Sequence, residues 1–132
     1  MDNILEKYES EFTQDVKLDR FNLLEKSMML PAIKHKWVGR LIRHKISLDK
    51  LKKLKFIKKQ EIVEHIKKES SVLLANPILE KKVEQHELIK KINEKITQET
   101  YYIDYLEKIE QILRSISYNI QSMVDMIKLE ET

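Results

Sequence analysis

The sequence predicts an all-α protein with two long helices, short helices at its N-terminus and a coiled-coil-like helix at its C-terminus. Only one Gly and two Pro occur in 132 residues, which is too few turn residues for a sheet protein. Charged residues make up 36% of the chain. The apolar residues recur at spacings of three and four, which is the helical period. A chain of this length is expected to form one domain or two small helical pieces.

The N-terminal segment is predicted to form short helices. An amphipathic helix is expected from Asp2 to about Phe12, followed by a loop over residues 13–18. Asp19 can cap a second short piece that runs through Leu24. These pieces form an annex ahead of the first long helix.

The first long helix is predicted from Pro31 to Glu69. Proline suits the first helical turn, where its missing N–H loses no hydrogen bond. Residues 70–77, with the sequence SSVLLANP, are the clearest boundary in the chain, and Asn-Pro is a turn signal. Asn76 can cap the next helix, with Pro77 at its first position.

We expect the boundary to separate an N-terminal region, 1–75, from a C-terminal region, 76–132. After Pro77 no Gly or Pro occurs, and the pattern leaves open whether this stretch forms one helix or two. Its last third carries three heptads of apolar positions, which we call the seam. The seam consists of Leu106, Ile109, Leu113, Ile116, Ile120, Met123 and Ile127. Such a row is too apolar to face water, so it is expected to bury against another part of the chain or another copy.

Positive charge is concentrated in residues 34–59, which we call the basic block. It contains 11 Lys and Arg against one acid, Asp49, for a net charge of +10. The whole chain is only +3, so the remaining residues are net acidic. A focused positive surface attracts polyanions, and nucleic acid is the commonest.

The candidate DNA-binding residues all lie in the basic block. They are Lys34, Lys36, Trp37, Arg40, Arg43, Lys45, Lys50, Lys52, Lys53, Lys55, Lys58 and Lys59. Trp37 and Phe56 are interleaved with the cations, a combination typical of single-strand sites. Trp37 also shares an apolar row with Ile33 and Leu41, which favours core packing for this ring. A solvated Lys-rich face is the plain alternative for the block as a whole.

No motif predicts catalysis or a cofactor. The chain has no Cys, which excludes disulfides and thiolate zinc sites. The four His lack the spacing of a metal site, and neither a Gly-rich phosphate loop nor a Ser nucleophile elbow is present. We expect a non-enzyme without metal or cofactor. A basic helix can also bind anionic lipid, but the apolar face is narrow here, so no membrane association is expected.

Three stretches of the chain have a distinctive pattern. The first is MLPAIKHKW at 29–37, an apolar entry followed by Lys and an aromatic residue. The second is the Lys-rich continuation to Lys59. The third is the tail at 105–126, in which YLE and ILRS precede Tyr118, Ile120 and Met126. Together these stretches resemble the phage recombination mediators of the UvsY type. One motif departs from the family: at 58–63 the sequence is KKQEIV, without the usual paired Tyr and Gly turn.

The resemblance implies a function and a set of partners. Such proteins bind single-stranded DNA and load a RecA-like recombinase onto strands covered by single-strand DNA-binding protein. They assemble through the C-terminal helix into a ring-like homo-oligomer, expected here to be a hexamer or heptamer. On this chain the basic block would contact DNA and the seam would form the assembly contact. The implied location is the cytoplasm of the infected host cell.

The alternative function is structural. A coiled-coil adaptor could use the same Lys-rich helix to bind an acidic protein partner. Binding to oligo-dT discriminates between the two.

Overall fold

The structure is a computed structural model that describes residues 3–19, 21–70 and 73–131. These residues form α-helices and no strand, which confirms the predicted all-α class. The helices are α1 (Asn3–Asp15), α2 (Leu23–Glu69), α3 (Asn76–Glu84) and α4 (Glu87–Glu131). Asp2, the expected start of the first helix, lies outside the described residues. None of the described helices carries an apolar run long enough to cross a membrane.

A pair of reciprocal hydrogen bonds starts α2. Asp19 Oδ1 accepts the backbone N–H groups of Phe21 and Asn22, at 2.8 and 2.9 Å. In return, Asn22 Oδ1 accepts the N–H of Asp19 at 2.8 Å. This is the bonding pattern of a capping box, and it lies in the turn before α2, whose first helical bond runs from the Lys26 N–H to the Asn22 carbonyl. Asp19 therefore stabilises the turn that leads into the long helix, and it does not cap a separate short piece.

The predicted start of the first long helix at Pro31 is wrong, because Pro31 lies inside α2. Two contacts extend the helix upstream of it. Leu23 is buried, and Lys26 Nζ donates to the carbonyls of Gln14 and Asp15 at the end of α1. Together with the capping box, they offset the backbone hydrogen bond that proline cannot make.

The start of α3 also differs from the prediction. Asn76 is its first residue, and Ala75 occupies the cap position without a side-chain hydrogen bond. Pro77 lies in the first turn, as expected of a residue with no N–H to satisfy. The boundary over residues 70–77 separates α2 from α3.

The stretch after Pro77 forms two helices. The N–H of Gln85, at the end of α3, donates to the carbonyl of Lys81 at 3.1 Å. His86 then starts α4, since its Nδ1 accepts the N–H of Leu88 at 3.1 Å. A histidine cap thus separates α3 from α4 where the sequence has neither Gly nor Pro.

The chain divides into two compact units. Unit 1 contains Met1–Ile42 and Asp104–Thr132, and unit 2 contains Arg43–Ile103. Both α2 and α4 therefore contribute one segment to each unit. The predicted regions 1–75 and 76–132 were defined by their expected roles in binding and assembly, whereas the two units are defined by packing. The predicted division therefore stays a prediction.

Each unit has its own apolar core. In unit 1 the buried residues are Phe12, Leu23, Ile33, Trp37, Leu41, Leu106, Ile109, Leu113 and Ile120. In unit 2 they are Ile62, Leu79, Val83, Ile89, Ile92, Tyr102 and Ile103. Among the described residues no polar or charged side chain is buried, so both cores are held by apolar burial.

Candidate nucleic-acid interface

In unit 1 the basic block carries an enclosed tryptophan. Trp37 is only 2% exposed, and its Nε1–H donates to Asp15 Oδ2 at 2.9 Å. The rings of Tyr8 and Phe12 meet it edge to face, with centroids 5.6 and 5.5 Å away. Edge-to-face pairs are the favoured aromatic geometry. Trp37 was among the candidate DNA contacts, but its burial leaves no ring face for a base to stack on.

The cations beside Trp37 are paired with acids of α1. Lys36 Nζ lies 2.5 Å from Asp15 Oδ2 and 3.6 Å from Glu11 Oε2. Both Nη atoms of Arg40 donate to the Glu11 carboxylate, one bond measuring 3.2 Å. The Arg40 guanidinium also lies over the Trp37 ring, 4.7 Å from its centroid. Fork-shaped pairs of this kind are the strong form of the ion pair.

These pairs shift two pKa values. The hydrogen bond from Arg40 is the largest cause that lowers the pKa of Glu11 below its ordinary value. The same bond raises the pKa of Arg40 above its ordinary value. Both side chains are therefore held in their charged forms, and Lys36 and Arg40 are already compensated within the protomer.

In unit 2 a second carboxylate pairs with the block. Glu84, the last residue of α3, has Oε1 2.5 Å from Lys59 Nζ and 3.9 Å from Lys55 Nζ. Its other oxygen accepts Asn93 Nδ2 at 3.4 Å. The hydrogen bond from Lys59 is the main cause that lowers the pKa of Glu84. Two hydrogen-bond donors, Lys59 and Asn93, thus converge on one carboxylate, with Lys55 at ion-pair distance.

Two further pairs form within α2. Lys53 lies 3.0 Å from Asp49, and Lys58 lies 3.1 Å from Glu61. The Lys53 pair is largely exposed, so it contributes little stability. Lys53 therefore remains accessible to a ligand.

Within the basic block, the exposed cations that have no ion pair among the described residues lie in unit 2. Arg43, Lys50 and Lys52 are exposed, and none has an ion pair among the residues that the structure describes. Lys45 is exposed as well. Because seven residues make nearly two helical turns, Arg43 and Lys50 point one way and Lys45 and Lys52 another. The helix presents positive charge on more than one side here.

The second aromatic residue of the block is exposed. Phe56 is 63% exposed, in contrast to Trp37 at 2%. Phe56 lies off the apolar row that contains Ile33 and Leu41, and polar residues occupy the positions one turn away. The positions of the two aromatic residues relative to this apolar row therefore predict which ring is buried and which is exposed.

One contact of unit 2 was not foreseen from the sequence. His44 Nδ1 lies 2.6 Å from Glu99 Oε2, and its ring lies 5.0 Å from that of Tyr102. The contact joins α2 to α4 within unit 2. The His44 ring therefore faces α4, whereas Arg43 and Lys45 on either side of it in the sequence are exposed. Glu99 is 55 residues away in the chain, so no local pattern indicates the pairing.

The seam divides into a buried and an exposed part. Leu106, Ile109, Leu113 and Ile120 are at most 3% exposed. A cavity of about 150 Å³ has Trp37, Leu41, Leu106 and Leu113 among its lining residues, so α4 packs on α2 within unit 1. The protomer itself therefore covers these four residues, and their assignment to a contact between copies stays a prediction.

The rest of the seam remains accessible. Ile116 is half-buried, while Met123 and Ile127 are 47% and 40% exposed. A role of these three in self-assembly stays a prediction.

The comparisons with known proteins give one fold. No protein-family model matches the sequence, and no curated protein matches it. Solved structures with a similar arrangement include crystal forms of the bacteriophage T4 recombination mediator protein UvsY. The fold is similar to that of UvsY.

The likeness extends over nearly the whole length of both chains. Lattice type IV gives a TM-score of 0.80 at 14% identity, covering 96% of this chain and 98% of UvsY. Lattice type II gives 0.79 at 13% identity, covering 97% and 98%. At this identity the likeness shows the fold, and it confirms the predicted resemblance to UvsY at that level.

The Glu11 pair predicts a pH-dependent stability. Because the pKa of Glu11 is lowered in the folded state, its ion pair stabilises the protein above the ordinary glutamate pKa, about 4.3. That contribution is lost as the pH falls through the lowered value. Glu11→Gln removes the charge at every pH. We expect the variant to unfold at lower urea concentration than the wild type at neutral pH, and this difference to shrink in acid, as the pH falls below about 4.3.

Glu6→Gln is the matched control, because Glu6 is an exposed residue of α1 without an ion pair among the described residues. It should leave the urea midpoint unchanged at neutral pH and in acid. A Glu11→Gln deficit that persists unchanged in acid would contradict the assigned role of the pair.

Proposed function

We propose that this protein is a recombination mediator. It binds single-stranded DNA and helps to load a RecA-like recombinase onto strands covered by single-strand DNA-binding protein. The observation that carries this proposal is the near-full-length likeness of its fold to UvsY, a recombination mediator protein. In this proposal it acts by binding and not by catalysis, and it works in the cytoplasm of the infected host cell.

The DNA contacts are proposed to lie mainly in the unit 2 part of the basic block. Arg43, Lys50 and Lys52 support this, since they are exposed and have no ion pair among the described residues. A cation that neutralises a phosphate releases a counterion from the strand, and this release favours binding without reading the base sequence. In unit 1, by contrast, Lys36 and Arg40 must give up an acid partner before they can meet a phosphate.

The combined variant Arg43→Ala, Lys50→Ala and Lys52→Ala tests this assignment. For a single strand, log K falls with log salt with a slope of about −0.7 per neutralised phosphate. Loss of three contacts should therefore make the slope for oligo-dT shallower by about 2. The variant should also slow assembly of a RecA-like recombinase on a strand coated with single-strand DNA-binding protein.

The control is Lys90→Ala, Lys91→Ala and Lys95→Ala, which removes the same charge from exposed positions of α4 in the same unit. This control variant should keep most of the wild-type slope of log K against log salt for oligo-dT. An equal change in both triple variants would mean that only net charge matters. Wild-type protein that fails to bind oligo-dT would contradict the proposal and favour the adaptor with an acidic partner.

Glu84 is proposed to compete with the strand. Its carboxylate accepts from Lys59 and lies near Lys55, so it occupies a position in which a phosphate could be held. Glu84→Gln removes the charge that holds the two lysines. We expect tighter binding to oligo-dT and a steeper salt dependence, both measured by fluorescence anisotropy.

Glu80→Gln makes the matched comparison. It removes one negative charge from an exposed residue of the same helix, which has no ion pair among the described residues. If both variants tightened binding equally, the gain would come from net charge and not from release of the lysines.

Self-assembly is proposed to multiply the DNA contacts. Met123, Met126 and Ile127 leave an exposed apolar row near the end of α4, which supports a contact between copies in a ring-like hexamer or heptamer. Linked sites raise avidity by roughly 10²–10⁴. Repeated weak contacts can then hold a strand while one bound protein is exchanged for another.

The double variant Met123→Asp and Ile127→Asp tests the assembly contact. Both side chains are 40% exposed or more, so the change leaves the folded protomer intact while it adds charge to the row. Light scattering should show a lower native mass. Tyr118→Asp changes an exposed residue of α4 outside the row and should leave the mass unchanged. An unchanged mass in the double variant would exclude this row as the contact.

A further inference from the structure

We propose that Phe56 is a stacking platform for an unpaired nucleobase, and that it makes the interface selective for single strands over duplex. This inference rests on the proposed function, because it assigns a role to one residue within the same interface. The juxtaposition that carries it is an exposed aromatic ring among accessible lysines in unit 2.

The ring of Phe56 is exposed and does not contribute to the core of unit 2. Its side chain is 63% exposed, and it has no ring partner among the described residues. The inward side of α2 in this unit is formed by other residues, among them the buried Ile62. Exposing so large an apolar ring to water is unfavourable. A ligand that covers the ring would recover that free energy.

The neighbours of Phe56 indicate the charge of that ligand. On a helix, residues three and four positions away are side-chain neighbours. For Phe56 these include Lys52, Lys53 and Lys59, and no acid occupies these positions. Lys52 has no ion pair among the described residues, and the Lys53 pair is 63–74% exposed. Lys59 lies about one helical turn, or 5.4 Å, after the ring and is paired with Glu84, so the accessible cations beside the ring are Lys52 and Lys53.

A nucleobase on a phosphate backbone combines the two properties that this surface accepts. The flat base covers the ring, and its flanking phosphates meet the lysines. Stacking of this kind tolerates any sequence, because every base has a π-face. In a duplex the bases are paired inside the helix, so the ring would find no free face. Lysine contacts alone carry no such preference.

A second copy of the chain fits this surface less well. An isologous contact through Phe56 would bring the same patch of both copies together. Lys52 and Lys53 would then face Lys52 and Lys53 of the partner, and like charges placed together oppose association. The charge of the patch therefore favours a polyanion.

The experiment compares Phe56→Ala and Phe56→Trp with wild type on three probes: oligo-dT, an abasic phosphodiester strand of the same length, and duplex DNA. On oligo-dT, Phe56→Ala should weaken binding about 5- to 100-fold. Its salt slope should not change, since no phosphate contact is lost. On the abasic strand and on duplex it should bind like the wild type, and Phe56→Trp should retain tight binding to oligo-dT. Ile57→Ala, at a neighbouring residue that is 50% exposed, should bind like the wild type throughout.

The outcomes separate this inference from the function on which it rests. An equal loss on oligo-dT and on the abasic strand would overturn stacking, and so would a lower native mass of Phe56→Ala. In either case the lysine variants would still report DNA binding. Wild-type protein that does not bind oligo-dT would overturn both proposals. Because Phe56 is exposed, Phe56→Ala should keep the wild-type thermal melting by circular dichroism.

Discussion

The carboxylates of Glu11 and Asp15 on α1 meet the part of the basic block that carries Trp37. Asp15 accepts the indole N–H and pairs with Lys36, while Glu11 holds Arg40. A buried polar group without a partner is costly, so Asp15 allows the indole N–H of Trp37 to enter the core of unit 1. The packing of α1 on α2 thus combines apolar burial with these hydrogen bonds and ion pairs.

Pairing with acids of the chain also determines which other cations of the basic block are compensated. A helix segment with a net charge of +10 repels itself, because like charges one turn apart destabilise a helix. Glu84 relieves part of that repulsion in unit 2, and Asp49 and Glu61 relieve more within α2. The charge left for a ligand is therefore smaller than the sequence total and is concentrated in unit 2.

Local pattern was sufficient for much of the fold. Helical spacing gave the all-α class, and residues 70–77 gave the end of α2. The start of α2 was missed because the capping box at Asp19 lies upstream of a proline that the helix accommodates. In the interface, the residue types and the block were predictable, but their division into paired and free cations was not. That division depends on partners such as Glu11 and Arg40, which are 29 residues apart in the chain.

Acetylation of the lysines, read by mass spectrometry with and without oligo-dT, tests the central claim most directly. That claim is that acids of α1 hold Lys36 and Arg40, while Arg43, Lys50 and Lys52 are left for the proposed contact with DNA. Lys36, which lies 2.5 Å from Asp15, should react slowly in both states. Lys50 and Lys52 should react fast in the free protein and slowly when the strand is bound. Protection confined to Lys34 and Lys36, or no protection at Lys50 and Lys52, would contradict the account.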